Sequence, residues 1–470
     1  MSGFIIKNGY LITVDSNDRI IPDGAVVIEG NKIVAVGKTS EILDKYRSDE
    51  YTVIDASRKV IMPGLINTHA HLYQNFLKGV HDELPLKEWC DSVLFPLVDA
   101  AIVEMKEGKD DIYRYSTYSA VLESIRFGTT TLVDFAGTGE IAPEVFAETG
   151  IRGIYARTFV DRWVPEEFIP PIEKAMGDMD KLIKKWHGKY NGRIRLMYAP
   201  SAPFTCTEEL LKAIREHADK TKVPVSIHLS ETRYEQKLAK EEYGTTPTDW
   251  LNKIGFLKDD VLAVHGVWLN DSDLKVIKEK DVKISHNPES NMRLASGIAP
   301  VAKMLKMGIT VGLATDGAAS NDNLDMIEAM RGAVFSAKVS NLRASALLGY
   351  DAIKMATIWS AKALKLENEI GSIEVGKKAD VILINLDALH LKPVYDPINT
   401  IVYVATGHDV DTVIIDGKLV MHNRRILTVD EDLISQKIDK VYQEKLEDVY
   451  KKIRALKVPV ESEDIEPWSW

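Results

Sequence analysis

Histidine and carboxylate spacing is where chemistry first becomes legible in this chain. Asn67-Thr-His69-Ala-His71 follows an apolar run at 60–68. In extended backbone, residues i and i+2 lie on one side, so both imidazoles reach toward one metal ion. Alone the pair is a weak signal, because His-x-His arises easily by chance and a single histidine usually sits in the core or on the surface. Three further groups follow later apolar runs: His228-Leu-Ser-Glu231, His265, and Asp316-Gly-Ala-Ala-Ser320. Neutral imidazoles with one carboxylate make a catalytic metal set that leaves a position for water. A metal held there lowers the pKa of its water toward neutrality and makes hydroxide available near pH 7. The two cysteines, Cys90 and Cys206, are too few for thiolate ligation or a disulfide framework and suit a reducing cytoplasm.

These groups need a frame that brings distant segments together. Short apolar runs occur at 60–68, 129–135, 153–160, 194–199, 223–229, 261–265, 282–285 and 309–315. Each is followed by a polar or Gly/Pro-containing turn and then a stretch of helical period. In 208–221, Leu210, Leu211, Ile214 and Ala218 share one face. Eight buried-type strands alternating with helices predict an α/β fold, a (β/α)8 TIM-type barrel. An open doubly wound sheet usually has about five or six strands and a glycine-rich phosphate turn, and no such turn is present. A barrel places its active site at the C-terminal ends of the strands, where the four groups fall.

The two ends of the chain differ from the middle. Segments 4–6, 10–14, 24–29 and 32–36 read as strands with a hairpin at Glu29-Gly-Asn31; the same character returns at 379–385, 402–405 and 410–425. Of the 470 residues, 45% are hydrophobic and 27% charged, which excludes a disordered chain. The net charge of −11 argues against a nucleic-acid binder. No run approaches about 18 apolar residues, and the N-terminus lacks a signal-peptide pattern, so neither a membrane span nor export is expected. Length alone suggests about three domains.

Several motifs occur together and in order: Met62-Pro-Gly-Leu-Ile-Asn-Thr-His-Ala-His71, His228-Leu-Ser-Glu231, Ser285-His-Asn-Pro-Glu-Ser-Asn291, Leu294-Ala-Ser-Gly-Ile-Ala-Pro300, Thr315-Asp-Gly-Ala-Ala-Ser-Asn321 and Gly371-Ser-Ile-Glu-Val-Gly-Lys-Lys-Ala-Asp380. With them the chain resembles the amidohydrolase superfamily, in particular the branch of methylthioadenosine/S-adenosylhomocysteine deaminases and triazine hydrolases. The resemblance implies a small composite β-sandwich from residues 1–60 and 370–430, a barrel over 61–369, and a C-terminal helix with an acidic tail over 431–470. It reduces the domains to two, one assembled from both chain ends.

The resemblance also implies roles. His69, His71, His228 and Asp316 would bind one divalent metal, zinc or alternatively iron(II). Asp316 would take the proton of the water, His265 would hold the resulting hydroxide, and Glu231 would protonate a ring nitrogen as the C=N carbon is attacked. A related two-metal type uses a carboxylated lysine on strand four; segment 194–203 has none. His286 would order its loop. For substrate, Glu88 beside Trp89 matches a glutamate that bonds ribose hydroxyls, and Arg157, with Arg162 as the weaker alternative, matches one facing an amino-acid tail. Ser320 matches a pocket residue, and Trp89, Trp163 and Trp268 are candidates to stack on a flat heterocycle. The nucleoside deaminases carry Pro-His-Ser-Pro after strand four, whereas this chain has Pro200-Ser-Ala-Pro203, putting Ser201 at the histidine position.

The implied reaction is hydrolytic deamination of an aminopurine nucleoside of the methylthioadenosine or S-adenosylhomocysteine type. The alternatives are another N-heterocycle (a guanine-type base, a pterin or a triazine) and, from a different class, a non-catalytic scaffold. The family implies a homo-oligomer, dimer or tetramer, with segment 433–456 either an interface or packed on its own barrel. The tail at 459–470 reads as a surface strap. His81, His187, His217, His390, His408 and His422 read as surface or packing residues.

Overall fold

The structure is a computed structural model that describes residues 3–80, 84, 86–164 and 169–455. His81 and the 459–470 tail lie outside the described residues. Eight parallel strands form the central sheet: β1 (Leu65–Ala70), β2 (Thr129–Ala136), β3 (Arg152–Phe159), β4 (Ile194–Pro200), β5 (Val225–Leu229), β6 (Val261–His265), β7 (Lys283–His286) and β8 (Val311–Leu313). Each pairs with the next in sequence. The ring closes between β1 and β8 through side-chain bonds and a backbone bond just beyond the strand ends. The Thr68 hydroxyl donates to the Leu313 carbonyl at 3.0 Å, Asn67 Nδ2 donates to Thr315 Oγ1 at 2.8 Å, and the Asp316 amide donates to the His69 carbonyl at 3.1 Å.

Both faces of these strands are buried, as their continuous apolar runs require. Ile66, Val133, Phe135, Ile154, Ala156, Met197, Ala199 and Leu262 pack together inside the barrel. The alternate residues Leu132, Tyr155, Tyr198, Ile227 and Ala263 join the large core under the helices. The run at 60–68 resolves into two strands. Lys59–Pro63 belongs to a different sheet, and β1 begins only after Gly64. A Cβ at Gly64 would lie 2.1 Å from Thr130 Oγ1, so only glycine lets the chain pass between the sheets there.

The second sheet is mixed and has nine strands drawn from both chain ends. N- and C-terminal pieces meet where Lys59–Pro63 runs antiparallel to Val381–Asn385. Residues 402–405, read as a strand, instead end the helix Pro397–Tyr403 and its exit; Asp396 caps it by accepting from the Ile398 amide, with proline in the first turn. The sheet is tied to the barrel by Arg152, the first residue of β3. Its guanidinium forks onto Asp380 with both bonds at 2.8 Å, and Asp416 lies 3.5 Å away. At the C-terminus, helices Glu431–Val441 and Glu447–Ala455 pack on their own barrel. Ile434, Val441, Tyr450 and Ile453 are buried, and Lys445 pairs with Glu104 and Asp111. No helix among the described residues is long and apolar enough to cross a membrane.

Candidate active site

His69 and His71 at the end of β1, His228 on β5 and Asp316 after β8 converge at the C-terminal mouth of the barrel. The His69 ring lies 4.7 Å from that of His71 and 4.8 Å from that of His228. Asp316 Oδ1 is 3.2 Å from His69 Nε2 and 3.4 Å from His71 Nε2. Two overlapping groups could hold a metal, His69–His71–His228 and His69–His265–Asp316, with His69 shared.

Proton placement separates the histidines. His71 Nδ1 donates to the Phe135 carbonyl at 2.6 Å, and His228 Nδ1 donates to the Ser201 carbonyl at 2.7 Å. A carbonyl only accepts, so each ring carries its proton on Nδ1 and turns the Nε2 lone pair inward. Burial, and next the neighbouring His69, push His71 down to about 4; burial and the surrounding imidazoles push His228 well below its ordinary value. Both are neutral at pH 7, as ligation requires. His69 is fully buried; its Nε2 lies 3.2 Å from Asp316 Oδ1, and its Nδ1 has no hydrogen-bond partner among the described residues. Such a ring is costly to bury unless something takes its lone pair, and a cation does so. Asp316 adds a carboxylate held well below its usual range; burial opposes ionisation, but its contact with His69, then the neighbouring imidazoles of His71 and His265, outweigh it. Its Oδ2 accepts from the Ser290 hydroxyl at 2.7 Å and its Oδ1 from the Gly317 amide at 2.8 Å. The donor set therefore fits a divalent ion.

His265 ends β6. Alternation puts Leu262 inside the barrel and Ala263 under the helices. At His265 the backbone is left-handed (φ 76°), which breaks the alternation, and its ring sits 5.4 Å from that of His228. Its Nδ1 accepts from Asn287 Nδ2 at 3.1 Å and Asn291 Nδ2 at 2.9 Å, and its Nε2 lies 3.4 Å from Glu231 Oε2. Burial, against the pull of Asp316, pushes it down to about 3. Glu231 follows β5 in a turn whose Ser230 is also left-handed. Glu235 pins that turn, accepting from the Ser230 amide at 2.9 Å and the Glu231 amide at 2.8 Å. Burial, then the charges of Asp316 and Glu235, hold the Glu231 carboxyl well above the usual range, so it keeps its proton. A histidine and aspartate cluster thus stands beside a carboxyl of raised pKa.

A family model described as the amidohydrolase family matches residues 60–420. The chain belongs to the amidohydrolase family. Among its relatives, a 5'-deoxyadenosine deaminase of Methanosarcina barkeri is 39% identical over 445 residues, 94% of this chain and 98% of that one. A 5-methylthioadenosine/S-adenosylhomocysteine deaminase of Carboxydothermus hydrogenoformans is 40% identical over 436 residues, 93% and 96% of the two chains. Among solved structures, a zinc-bound adenosine deaminase from Xanthomonas campestris superposes with a TM-score of 0.87 at 27% identity, covering 97% of this chain and 99% of that one.

Other amidohydrolase-type positions in this chain fall at varied distances from the cluster. Ser201 acts here through its carbonyl on His228. Ser320 is buried, bonded to Ser290 at 3.2 Å and donating to the Gly317 carbonyl at 3.1 Å. Glu88 is exposed on the short helix Leu86–Trp89, and the buried Trp89 indole nitrogen has no partner among the described residues. Arg157 shares its register row with Ala136 and Tyr198, which face the helices. Its guanidinium stacks 4.5 Å from the Phe159 ring centroid, so the structure does not bring it to the metal cluster. Arg162 is held by Glu242 at 2.8 Å. Trp163 packs against Phe204 and Tyr234, and the Trp268 indole donates to the Ser296 carbonyl at 2.8 Å. His286 is buried with neither ring nitrogen partnered among the described residues, and burial pushes it down to about 3. The orienting groups Asn287, Asn291, Ser290 and Glu235 were not singled out from sequence, although the first three lie inside the Ser285–Asn291 motif. The carbonyls of Phe135 and Ser201 have no sequence signature.

Proposed function

We propose that this chain is a metal-dependent aminohydrolase that replaces the ring amino group of an adenosine-type nucleoside with oxygen and releases ammonia. The observation that carries this reading is the buried Glu231 carboxyl 3.4 Å from His265, beside a buried three-histidine and aspartate cluster, with its pKa raised by that burial. The names of the two relatives support the substrate class: both act on adenosines altered at the 5' position.

His69, His71, His228 and Asp316 would hold one ion, zinc or iron(II). When bound, the ion supplies acidity to a water and makes hydroxide available near pH 7. Asp316, kept ionised, takes the proton of the attacking water. His265 directs its Nε2 proton at the incoming oxygen and fixes its line of attack on the ring carbon bearing the amino group. Glu231 gives its proton to the adjacent ring nitrogen, so the C=N bond opens without leaving charge on the ring. The proton gathered on Asp316 passes to the amino group, the C–N bond breaks, and ammonia leaves as C=O forms, with the hydroxyl proton released in that step returning to Glu231. Water and the amine are thereby converted to the oxo product and ammonia, with every proton accounted for.

Glu88 and Trp89 are the proposed contacts to the sugar and the ring, with Ser320 supporting the pocket floor. The sheet from 1–60 with 370–430 and the barrel over 61–369 are proposed as the two domains. The working form is proposed to be a cytoplasmic homo-oligomer, dimer or tetramer.

The test is a steady-state panel of adenosine, 5'-deoxyadenosine, methylthioadenosine, S-adenosylhomocysteine, guanine, a pterin and a triazine, with ammonia detected directly. Turnover of the 5'-modified adenosines is expected. Turnover of a free base with every nucleoside inert would overturn the substrate class, and no ammonia from any compound with metal bound would overturn the reaction.

A further inference from the structure

His71 and His228 each face a backbone carbonyl through Nδ1. His265 is the inverse. Two side-chain amides converge on its Nδ1, from Asn287 at the start of helix Pro288–Arg293 and from Asn291 within it. The two are four residues apart, so one helical turn stacks both amides on the same face. Both residues are buried, at 0% and 1% exposure, as is His265, and the environment is dry enough for these bonds to decide the ring's state.

An amide nitrogen has protons and no usable lone pair, so Nδ1 must be the acceptor. A neutral imidazole has one ring proton, which leaves it on Nε2. The reverse arrangement, with both amide oxygens turned to the ring, would ask one N–H to serve two acceptors. It would also carry Asn287 Oδ1 away from the Ser285 hydroxyl that lies 3.4 Å from it. The opposite edge of the ring agrees: Nε2 lies 3.4 Å from Glu231 Oε2, so an oxygen atom faces it.

We propose that Asn287 and Asn291 are positioning residues that lock His265 as its Nε2–H tautomer, making it a proton donor to the attacking oxygen and barring it from serving as a metal ligand. A ligand nitrogen needs a free lone pair, and the lock occupies the one at Nδ1 and protonates Nε2. Of the two overlapping donor groups at the mouth, the one containing His265 is therefore closed as a second metal site. The chain settles on one ion through the choice of amide on one loop, in addition to the absence of a lysine on β4. The inference rests on the donor role proposed for His265, but its primary test needs no turnover.

The test uses the full-length protein with histidine imidazoles labelled with nitrogen-15 and the metal removed by chelation. The His265 signals are assigned by their loss in His265→Gln. The expected wild-type spectrum has a protonated-type shift at Nε2 and an acceptor-type shift at Nδ1 for His265. In Asn287→Asp/Asn291→Asp the carboxylates attract the proton and the pattern reverses. A wild-type His265 already protonated at Nδ1, or a tautomer unmoved in the double variant, would overturn the lock. If the double variant does not fold, the wild-type spectrum alone decides.

Two further readouts follow. Under excess zinc the wild type is expected to hold one equivalent and the double variant to approach two; a second equivalent in the wild type that His265→Gln abolishes overturns the proposal. On a nucleoside that the wild type deaminates, the double variant should lose about 100-fold in kcat, with KM changed by no more than about two-fold, as for removal of one oriented donor. An enzyme with the expected tautomer but no deaminase activity would refute the proposed reaction and leave the lock standing.

Discussion

Glu231→Gln separates the acid's proton from its shape. In the folded protein the Glu231 carboxyl is held protonated by burial and by the charges of Asp316 and Glu235, so glutamine is close to it in both size and charge. Its contacts are long ones, Ser296 Oγ at 3.4 Å and His265 Nε2 at 3.4 Å, and glutamine can occupy the same volume. Below about pH 4.5, where the carboxyl is protonated both folded and unfolded, stability should therefore change by less than about 1 kcal/mol. The amide cannot release a proton to a ring nitrogen, so kcat should fall about 10²- to 10⁴-fold, a barrier increase of roughly 3–5 kcal/mol. Binding does not depend on that transfer, and KM should stay within about three-fold. The pH profile carries the sign. The wild type needs Glu231 protonated, so kcat should decline as pH rises through its raised pKa, and the residual activity of the variant should lack that limb. Stability runs in parallel. A carboxyl whose folded pKa is raised gives stability that is present in acid and lost as pH rises above the unfolded value near 4.5. The variant should then gain on the wild type as pH increases. The assay is ammonia release against pH, with thermal unfolding over the same range and metal content measured for both proteins. A kcat within ten-fold of wild type at full metal loading would refute the assignment of Glu231 as the acid.

Further outcomes are expected elsewhere in the molecule. Asp380→Asn strands the buried Arg152 guanidinium, 2% exposed, and should cost about 3–5 kcal/mol in denaturant unfolding; a loss under about 1 kcal/mol would contradict the ion-pair account. Ser290→Ala removes the hydroxyl that orients Asp316 Oδ2 and should weaken metal affinity about 10- to 100-fold in a chelator competition, with secondary structure unchanged. Gly64→Ala forces a Cβ to 2.1 Å from Thr130 Oγ1 and should lower the melting temperature; an unchanged value would mean the two sheets separate more easily than their packing implies. Dialysis against a chelator should abolish ammonia release and zinc should restore it, whereas activity persisting in metal-free protein would remove the metal from the reaction.

The His/Asp cluster was legible because barrel strands end where it sits: His69, His71, His228 and Asp316 each follow an apolar run, and period-two spacing pairs the first two. The barrel was legible for the same reason, since buried parallel strands are continuous apolar segments. What the sequence hid was hidden for physical reasons. Residues 60–68 look like one strand because apolarity does not record which sheet a residue joins, and only the contact of Gly64 with Thr130 shows the change. Val402 through Ala405 are β-branched, aromatic or small, but the Asp396 cap and Pro397 start a helix before them. Arg157 matched a substrate-facing position by alignment, whereas the register of β3 gives its row to the helices. A carbonyl such as that of Phe135 belongs to no residue type, so nothing in the sequence marks it as the group that sets the proton of His71.

Where protons are held decides how these residues divide the work. Two carbonyls put protons on the outer nitrogens of His71 and His228 and leave lone pairs facing inward; two amides do the reverse for His265. Two carboxyls follow the same logic. Asp316 stands among imidazoles and two donors and stays ionised, while Glu231 faces burial and other carboxylates and stays protonated. A base and an acid are thus kept apart in state within one dry pocket, the condition for moving one proton out of water and another onto a ring nitrogen. Three residues around this pocket, Ser230, His265 and Asp316, have left-handed backbones that cost energy in a non-glycine residue. A scaffold relieved of catalysis would have no use for that strain, nor for a buried His69 facing Asp316 whose Nδ1 has no partner among the described residues. Their coexistence with an intact donor set is the physical argument that this chain is an enzyme, independent of any relative's name.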